Sequence, residues 1–553
     1  MKNLFTISAL ALGLATPAFA QPLQVSPAQL SFGTVNELTT DSLQLTLTNP
    51  HSFPVQVTEV KFFNTYRQPA FSVAQGAFSV PAGGTEQIWV RFHPEHNIAH
   101  NSEMVLVTSS NLGSVSVDLQ GQGTYSNSYY STTQNQKEQA LKVALKTKIS
   151  GHNSLGYNTA RDRMFMQIDN KKVNGQGAAV NTLECVYTTR QIVGYTSRSQ
   201  AQNSPHNFNT EHTFPQGLFN EGEPMKSDLH HLYPTDANAN SSRSNMPFGI
   251  AAQPYIAEST NNPSHKGTNG YYEPHDGQKG ATARAMMYFV TRYQDYSNFF
   301  NIQQPALRDW HFTFAPDLEE ITRNNAIAQS SNQGNRNPFI DYPQFADRIT
   351  TLVGTSAEAP VFSLYSSDEV IDFGNPAITQ PVYRYVIVNN GNQELILQNL
   401  SLSNTTDFSP VNWANNVALL PGESFPVDIQ LTLASGDSAN GFFSFSTNIP
   451  SMPNVLVPVV ANMLVSSVDV PLQNLHLTVY PNPAVASVTI QPGIAANETF
   501  TVSVYNLNGQ LVTRLANQQN SAQLQTGNFA AGVYMLQVQS KTGFGVQRLV
   551  KLK

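Results

Sequence analysis

The chain has 553 residues and a net charge of −7, and only 12% of its residues are charged. At about 150 residues per domain, this length predicts three to four domains. The absence of a basic excess excludes a protein that stores nucleic acid by binding it tightly. Its low charge content, well under the usual ~25%, is typical of a secreted, strand-rich protein.

The first twenty residues predict export. Lys2 precedes an apolar run that ends in Ala18-Phe19-Ala20, which is the order of a secretory signal peptide and its cleavage site. The apolar run is too short to cross a bilayer comfortably, because a spanning helix needs about 20 apolar residues. We therefore expect a signal peptide at residues 1–20 and a mature chain that begins near Gln21.

Residues 21–125 are predicted to form short strands. Apolar and polar residues alternate in DSLQLTLTNP (41–50) and TEQIWVRFHP (85–94), with turn residues between such segments. About seven strands in roughly 100 residues favour a β-sandwich. The stretches SFGTV, LTNP and RFHP resemble the immunoglobulin-like modules of bacterial surface proteins. Residues 358–465 repeat this order of segments, so we expect a second immunoglobulin-like β-sandwich there.

Residues 126–357 have a different pattern. Apolar residues recur with helical spacing at 136–149, 280–295 and 318–329, which predicts an α+β domain between the two sandwiches. This region carries 20 Lys and Arg against 19 Asp and Glu, a net of +1, so the acidic excess lies on the flanking modules. Such a balance suits an enzyme that touches a few phosphates and whose binding weakens with salt.

Coordinating side chains are concentrated in NTEHTFPQ (209–216) and SDLHHLYPTDANANSSRSNMPFG (227–249). A zinc site, a nuclease centre and a merely polar loop are all open from composition alone. Zinc is disfavoured because Glu211 and His212 are neighbours on a predicted strand and point to opposite sides. The second stretch also lacks the i, i+4 histidine spacing of a helical zinc site.

A short helix is predicted after Pro234. Thr235 or Asp236 is suited to cap its N-terminus, and Asn240 then lies in its first turns. Carboxylate and amide oxygens of this kind are hard ligands, which favour Mg²⁺ that keeps several waters.

Four stretches in chain order resemble the endonuclease I family of secreted and periplasmic nucleases, which carry the ββα-metal or His-Me finger motif. They are EHTFPQ (211–216), DLHHLYPTDANANSSRSNMPFG (228–249), YEPHDGQKGATARAMMYFVTRY (272–293) and QGNRNPFID (333–341). The resemblance implies a sequence-nonspecific endonuclease that depends on Mg²⁺, with Mn²⁺ or Ca²⁺ as alternatives. It would hydrolyse phosphodiester bonds in DNA, with RNA as a further substrate, and leave 5′-phosphates.

The resemblance also implies roles for particular residues. His212 is the expected general base, and Glu211 and Asn240 are the expected metal ligands. Arg243 and Arg284 are the candidates for contact with the transition-state phosphate. In some family members a long cysteine-rich loop carries that arginine, whereas residues 213–227 of this chain contain neither Cys nor Arg.

Three further residues are expected to support the His212 strand from behind. One of the two adjacent histidines should pack against that strand while the other is exposed, and the aspartate is more often a turn or cap residue than a ligand. These residues are Asp228, His230 and His231.

Residues 469–553 predict a small C-terminal β-sandwich. The motifs Tyr480-Pro481-Asn482-Pro483, Val504–Gly509 and Gly532-Val533-Tyr534, with the basic ending RLVKLK, resemble the sorting module of proteins exported by the type IX secretion system. That resemblance implies a secreted or cell-surface protein exported through the periplasm. Its partners would be the type IX secretion machinery and a cell-surface attachment.

The expected architecture is therefore multidomain. A signal peptide (1–20) precedes an immunoglobulin-like β-sandwich (21–125), an α+β ββα-metal nuclease domain (126–357), a second immunoglobulin-like β-sandwich (358–465) and the sorting module (469–553). We expect a monomer. The alternative is a surface adhesion or binding protein in which the sandwiches do the work and the nuclease domain is inactive.

Overall fold

The computed structural model describes residues 23–552, except 64–65, 110, 254–262, 375–380, 412, 433–437, 463–472, 497, 507–510 and 542. The predicted signal peptide and the predicted start of the tail at Asp469 lie outside the described residues. Within them, apolar side chains gather in four large cores that span residues 23–119, 125–352, 371–461 and 479–549. Among the helices of this part of the chain, none is long and apolar enough to cross a membrane.

The first module consists of two sheets that share one core. Alternation along the strands turns Leu45, Leu47, Ile88 and Val90 inward, and their polar neighbours outward. The sheets have the strand orders β1-β3-β7-β5 and β2-β9-β8-β4-β6. The strands are β1 (Gln24–Ser26), β2 (Gln29–Asn36), β3 (Asp41–Thr48), β4 (Val55–Phe62), β5 (Phe71–Val73), β6 (Phe78–Val80), β7 (Thr85–Phe92), β8 (Ala99–Thr108) and β9 (Val115–Thr124).

The second module is the α+β region. The helices predicted from periodicity are confirmed as α1, α5 and α7, and α5 is buried on nearly all sides and forms the centre of the core. The helices are α1 (Glu138–Ser150), α2 (Tyr157–Arg163), α3 (Arg198–Gln202), α4 (Ala237–Arg243), α5 (Asp276–Arg292), α6 (Gln304–Thr313), α7 (Leu318–Ile327) and α8 (Pro338–Asp341). The strands are β10 (Thr182–Glu184), β11 (Gln191–Val193), β12 (Phe208–His212), β13 (Leu232–Asp236), β14 (His265–Lys266) and β15 (Tyr272–Glu273).

The third module repeats the first. Its sheets have the orders β16-β18-β22-β20 and β17-β24-β23-β19-β21, which match those of the first module strand for strand and confirm the internal repeat. Asn49 and Asn389 occupy equivalent buried turns, where each amide donates to backbone carbonyls. The strands are β16 (Leu364–Ser366), β17 (Ile371–Asp372), β18 (Val382–Asn389), β19 (Leu395–Leu402), β20 (Phe408–Pro410), β21 (Asn416–Leu419), β22 (Ser424–Leu431), β23 (Ser438–Thr447) and β24 (Asn454–Asn462). The immunoglobulin-like identity of both modules stays a prediction.

The C-terminal module has its own core and consists of strands, with sheet orders β25-β32-β31-β28-β29 and β26-β27-β30. The strands are β25 (Gln473–Asn474), β26 (Leu477–Tyr480), β27 (Ser487–Pro492), β28 (Thr499–Tyr505), β29 (Leu511–Gln519), β30 (Ala522–Gln525), β31 (Gly532–Ser540) and β32 (Gly543–Lys551). Residues 548–551 of the basic ending belong to β32, which pairs with β31.

The modules contact one another. The Tyr125 ring, at the end of the first module, stacks on the Tyr342 ring with 3.7 Å between centroids, and both rings belong to the core of the α+β region. Val105 of the first module packs with Val386 and Val388 of the third. The first sandwich therefore contacts both the α+β module and the second sandwich.

A buried carboxyl near this junction makes the stability depend on pH. Glu103 on β8 lies opposite Asp118 on β9 and is 1% exposed. Burial, and then the neighbouring Asp118, raise the pKa of Glu103 from 4.5 to about 9. The pKa of Glu103 is higher in the folded state than in the unfolded state. The contribution of Glu103 to the free energy of unfolding is therefore fully present below about pH 4.5 and decreases as the pH rises towards 9.

Replacing Glu103 with Gln should remove this loss. At pH 7 the free energy of unfolding should rise by about 3 kcal/mol, because the fold no longer has to protonate a carboxylate. Thermal unfolding between pH 4 and pH 9 measures the effect, which should vanish at the acid end. Glu59→Gln, at a side chain 57% exposed in the same module, is the control. Equal pH dependence in Glu103→Gln and the unchanged protein would contradict the prediction.

Candidate active site

A β-strand pair followed by a short helix brings the candidate residues together. Strands β12 and β13 pair antiparallel, with Glu211 opposite Tyr233 and His212 opposite Leu232, and α4 follows β13 directly. The side chain of Asp236 accepts hydrogen bonds from two backbone N–H groups in the first turn of α4, at 2.8 and 3.3 Å. The predicted capped helix is thus confirmed, with Asp236 as its cap.

Side chains of α4 fasten the helix to β12. Asn240 Nδ2 donates to the Thr210 carbonyl at 3.1 Å. Arg243 Nη2 donates to the Thr213 carbonyl at 2.8 Å, and its Nη1 donates to the His212 carbonyl at 3.3 Å. These bonds bring Asn240 to the same strand that carries the other two candidates.

The His212 ring is held in one tautomer. Its Nε2 lies 3.1 Å from the Lys226 carbonyl, which can only accept, so Nε2 carries the proton and Nδ1 keeps its lone pair. Burial, and then the neighbouring His231, lower the pKa of His212 to about 3. At neutral pH the imidazole is therefore uncharged, which is the form that a general base requires.

Glu211 is held by one phenol and one guanidinium. Its Oε1 accepts from the Tyr187 hydroxyl at 2.7 Å and lies 3.2 Å from Arg243 Nη1. Burial raises the pKa of Glu211, while Arg243 and Tyr187 act in the opposite direction. Sequence reasoning assigned Tyr187 no role, because a tyrosine in a strand-rich segment is usually part of the core.

The free oxygens of this unit fit a hard cation. Within the described residues, Glu211 Oε2 and Asn240 Oδ1 accept no hydrogen bond, although the other polar atom of each side chain is engaged. The same part of the chain contains no group of three or more His, Cys, Asp and Glu side chains suited to a metal. Few protein ligands and several waters are what Mg²⁺ prefers.

The two candidate arginines do not fit the predicted contact with phosphate. Arg243 is 1% exposed, and carbonyls and Glu211 occupy its guanidinium. Arg284 is equally buried and binds the Glu320 carboxylate through Nε at 2.7 Å and Nη2 at 2.6 Å. Both charges are therefore neutralised inside the protein. Arg243 lies at the candidate site, where it positions Glu211, whereas Arg284 belongs to a separate ion pair with Glu320.

Both adjacent histidines are buried, contrary to the expectation that one is exposed. The His231 ring lies 5.5 Å from the His212 ring, and its Nε2 donates to the Met225 carbonyl at 2.7 Å. His230 points elsewhere, and its Nε2 donates to the Asn335 carbonyl at 3.2 Å. Of the pair, only His231 is a ring neighbour of His212 in the described chain.

Asp228 anchors the turn between the two strands. It is fully buried and accepts from the backbone N–H of His230 at 3.0 Å, as the cap of a short 3-10 helix. Three side chains also donate to its carboxylate, within 2.7–2.9 Å: Tyr288, Tyr293 and Gln333. The expectation of a cap residue is confirmed, and the turn it anchors carries the carbonyl that binds His212.

Family models match two parts of the chain: Endonuclease I at residues 137–344, and Secretion system C-terminal sorting domain at residues 478–552. The chain is 29% identical over 240 residues to an extracellular ribonuclease of Bacillus amyloliquefaciens, covering 40% of this chain and 77% of that protein. It is 28% identical over 240 residues to an extracellular ribonuclease of Bacillus subtilis (strain 168), with the same coverage.

Among solved structures, the ASH/PapD-like domain of human CEP192 matches 22% of this chain and 99% of that chain at 12% identity. Its TM-score of 0.17 carries no argument about the fold.

The matched ranges agree with the geometry. The ββα unit lies within the first range, and the strand-only C-terminal module coincides with the second. The protein is therefore a secreted or cell-surface nuclease whose residues 137–344 match the Endonuclease I family model and whose residues 478–552 match the model of the secretion system C-terminal sorting domain.

Proposed function

We propose that the protein is an extracellular, sequence-nonspecific, Mg²⁺-dependent endonuclease that hydrolyses phosphodiester bonds in DNA and RNA and leaves 5′-phosphates. The observation that supports the proposal is the ββα unit: Glu211 and His212 lie on β12, Asn240 on α4 is bonded to the same strand, and one oxygen of Glu211, the oxygen of Asn240 and one ring nitrogen of His212 accept no hydrogen bond among the described residues. The two relatives are extracellular ribonucleases, which supports RNA as a substrate beside DNA.

In the proposed mechanism His212 activates the attacking water. Its Nδ1 lone pair takes a proton from a water in line with the scissile phosphorus. The hydrogen bond from Nε2 to the Lys226 carbonyl keeps the ring in position and stabilises the imidazolium that forms. Because the fold supplies this base, a second metal ion is not needed to generate the nucleophile.

Glu211 and Asn240 would hold the metal ion through Oε2 and Oδ1. When bound, Mg²⁺, with Mn²⁺ or Ca²⁺ as alternatives, would stabilise the negative charge that develops on the phosphate and on the leaving 3′ oxygen. Arg243 keeps the Glu211 carboxylate oriented. We further infer that the flanking sandwiches are immunoglobulin-like modules, and the strand order that the two modules share supports this. We also infer that the protein acts as a monomer.

His212→Ala should lower the rate of plasmid cleavage by about 10²–10⁴, the range for one acid–base group, and leave DNA binding largely intact. Nicking assays and binding of a labelled duplex measure the two effects. His206→Ala, at a half-buried histidine in the loop before β12, is the matched control. Cleavage by His212→Ala at the rate of the unchanged protein would rule out His212 as the base. No cleavage by the unchanged protein would favour the alternative in which the nuclease domain is inactive.

Glu211→Gln and Asn240→Ala should each raise the Mg²⁺ concentration needed for half-maximal activity, and Glu211→Gln should do so more because it also removes a charge. Calorimetric titration with Mg²⁺ tests binding independently of activity. Asn238→Ala, at an exposed asparagine on the same helix, is the control. Zn²⁺ should substitute poorly at an oxygen site; recovery after EDTA with Zn²⁺ but not with Mg²⁺ would overturn the ligand assignment.

Deleting residues 469–553 should leave active nuclease in the periplasm of a host with type IX export. The deleted module has its own core and contributes no side chain to the ββα unit, so the nuclease module should still fold. Cell fractionation with an activity assay measures where the enzyme remains. Full activity of the truncated chain in the medium would show that the module is not needed for export.

A further inference from the structure

A cationic side chain lies beside His212 but outside the ββα unit. Arg161 on α2 stacks its guanidinium carbon on the Tyr157 ring, 4.2 Å from the ring centroid. The Tyr157 ring in turn lies 5.5 Å from the His212 ring. Through this aromatic contact the fold holds a positive charge next to the candidate base.

Arg161 has donors to spare. Its Nη2 donates to Asn158 Oδ1 at 2.6 Å, and its Nε is enclosed without a partner. Across the described residues, no carboxylate lies within ion-pair distance of Arg161 and no acceptor engages its Nη1. Most other arginines of this module are paired with a carboxylate: Arg190, Arg198, Arg243, Arg284, Arg292, Arg323 and Arg336. Arg163, Arg308 and Arg348 instead donate to side-chain amide or backbone carbonyl oxygens. A half-buried guanidinium without a counter-charge is a site for an anion.

The position of Arg161 relative to the base is fixed by contacts on both sides. Lys226, whose carbonyl binds the His212 ring, also lies over Tyr157, with Nζ 4.9 Å from the ring centroid. The Lys226 ammonium pairs with Glu221 at 2.5 Å, so its charge is already balanced. Arg161 is therefore the cation of this cluster that remains available to a ligand.

We propose that Arg161 binds a backbone phosphate of the nucleic acid next to the bond that is cut, and that Tyr157 positions it. A guanidinium offers two parallel donors that match two non-bridging phosphate oxygens, which an ammonium cannot do. This inference rests on the proposed function, because it assigns a substrate subsite to the same centre. The subsite orients the strand and takes no part in proton transfer.

Cleavage kinetics of a duplex oligonucleotide at 50–200 mM salt test the subsite, with the full chain and saturating Mg²⁺. Arg161→Gln should lower kcat/KM by about tenfold to a hundredfold, mainly through a higher KM, as expected for one charge-assisted contact. It should also reduce the slope of log(kcat/KM) against log[salt] by about 0.9, the value for one lost phosphate contact. Arg161→Lys should keep the slope but raise KM.

Arg163→Gln is the matched control, since Arg163 lies on the same helix and bonds the side chain of Gln167. Its kcat/KM should stay within about twofold of the parent, as for an ordinary surface substitution. Equal kcat/KM and equal salt slopes for Arg161→Gln and Arg163→Gln would overturn the subsite, and so would an unchanged KM in Arg161→Lys. Absence of cleavage by the unchanged protein would instead count against the proposed function.

Discussion

The arrangement of the candidate site depends on the buried guanidinium of Arg243. It joins α4 to the end of β12 through the carbonyls of His212 and Thr213, and it lies 3.2 Å from Glu211 Oε1. A buried cation is tolerated only when it is paired and hydrogen-bonded, and here one carboxylate and several carbonyls meet both needs. Because the same contacts set the separation of Asn240 from the strand, the fold itself positions the groups proposed to bind the metal.

The flanking modules extend this rigidity outward. Arg348, near the end of the nuclease module, donates to Asn97 of the first sandwich at 2.7 Å and is itself 1% exposed. His96 and Asp347 face each other across the same junction at 3.4 Å. The first sandwich therefore packs directly against the segment that closes the nuclease core, which gives this sandwich a structural part in the nuclease module.

The sequence predicted much of the local structure and less of the chemistry around it. Periodicity located three helices, and cap chemistry located α4 with Asp236 at its start, because both signals come from residues within a few positions of each other. The arginines show the limit. In the sequence Arg284 cannot be distinguished from an arginine that binds phosphate. Only its pairing with Glu320, 36 residues further along the chain, shows that its charge is already neutralised. A local sequence pattern does not show whether a side chain is buried or which distant residue it pairs with.

By itself the sequence predicted the order of the modules, the C-terminal sorting module, and the strand and helix that carry Glu211, His212 and Asn240. These features follow from hydrophobic period, turn residues and motif order, all of which are local. The tertiary structure alone decided the rest: the Lys226 carbonyl that selects the His212 tautomer, the Tyr187 hydroxyl on Glu211, and the Arg161 guanidinium, which no carboxylate of the described residues neutralises. Every residue has a carbonyl and every arginine carries a charge, so their particular roles arise only when folding brings distant segments into contact.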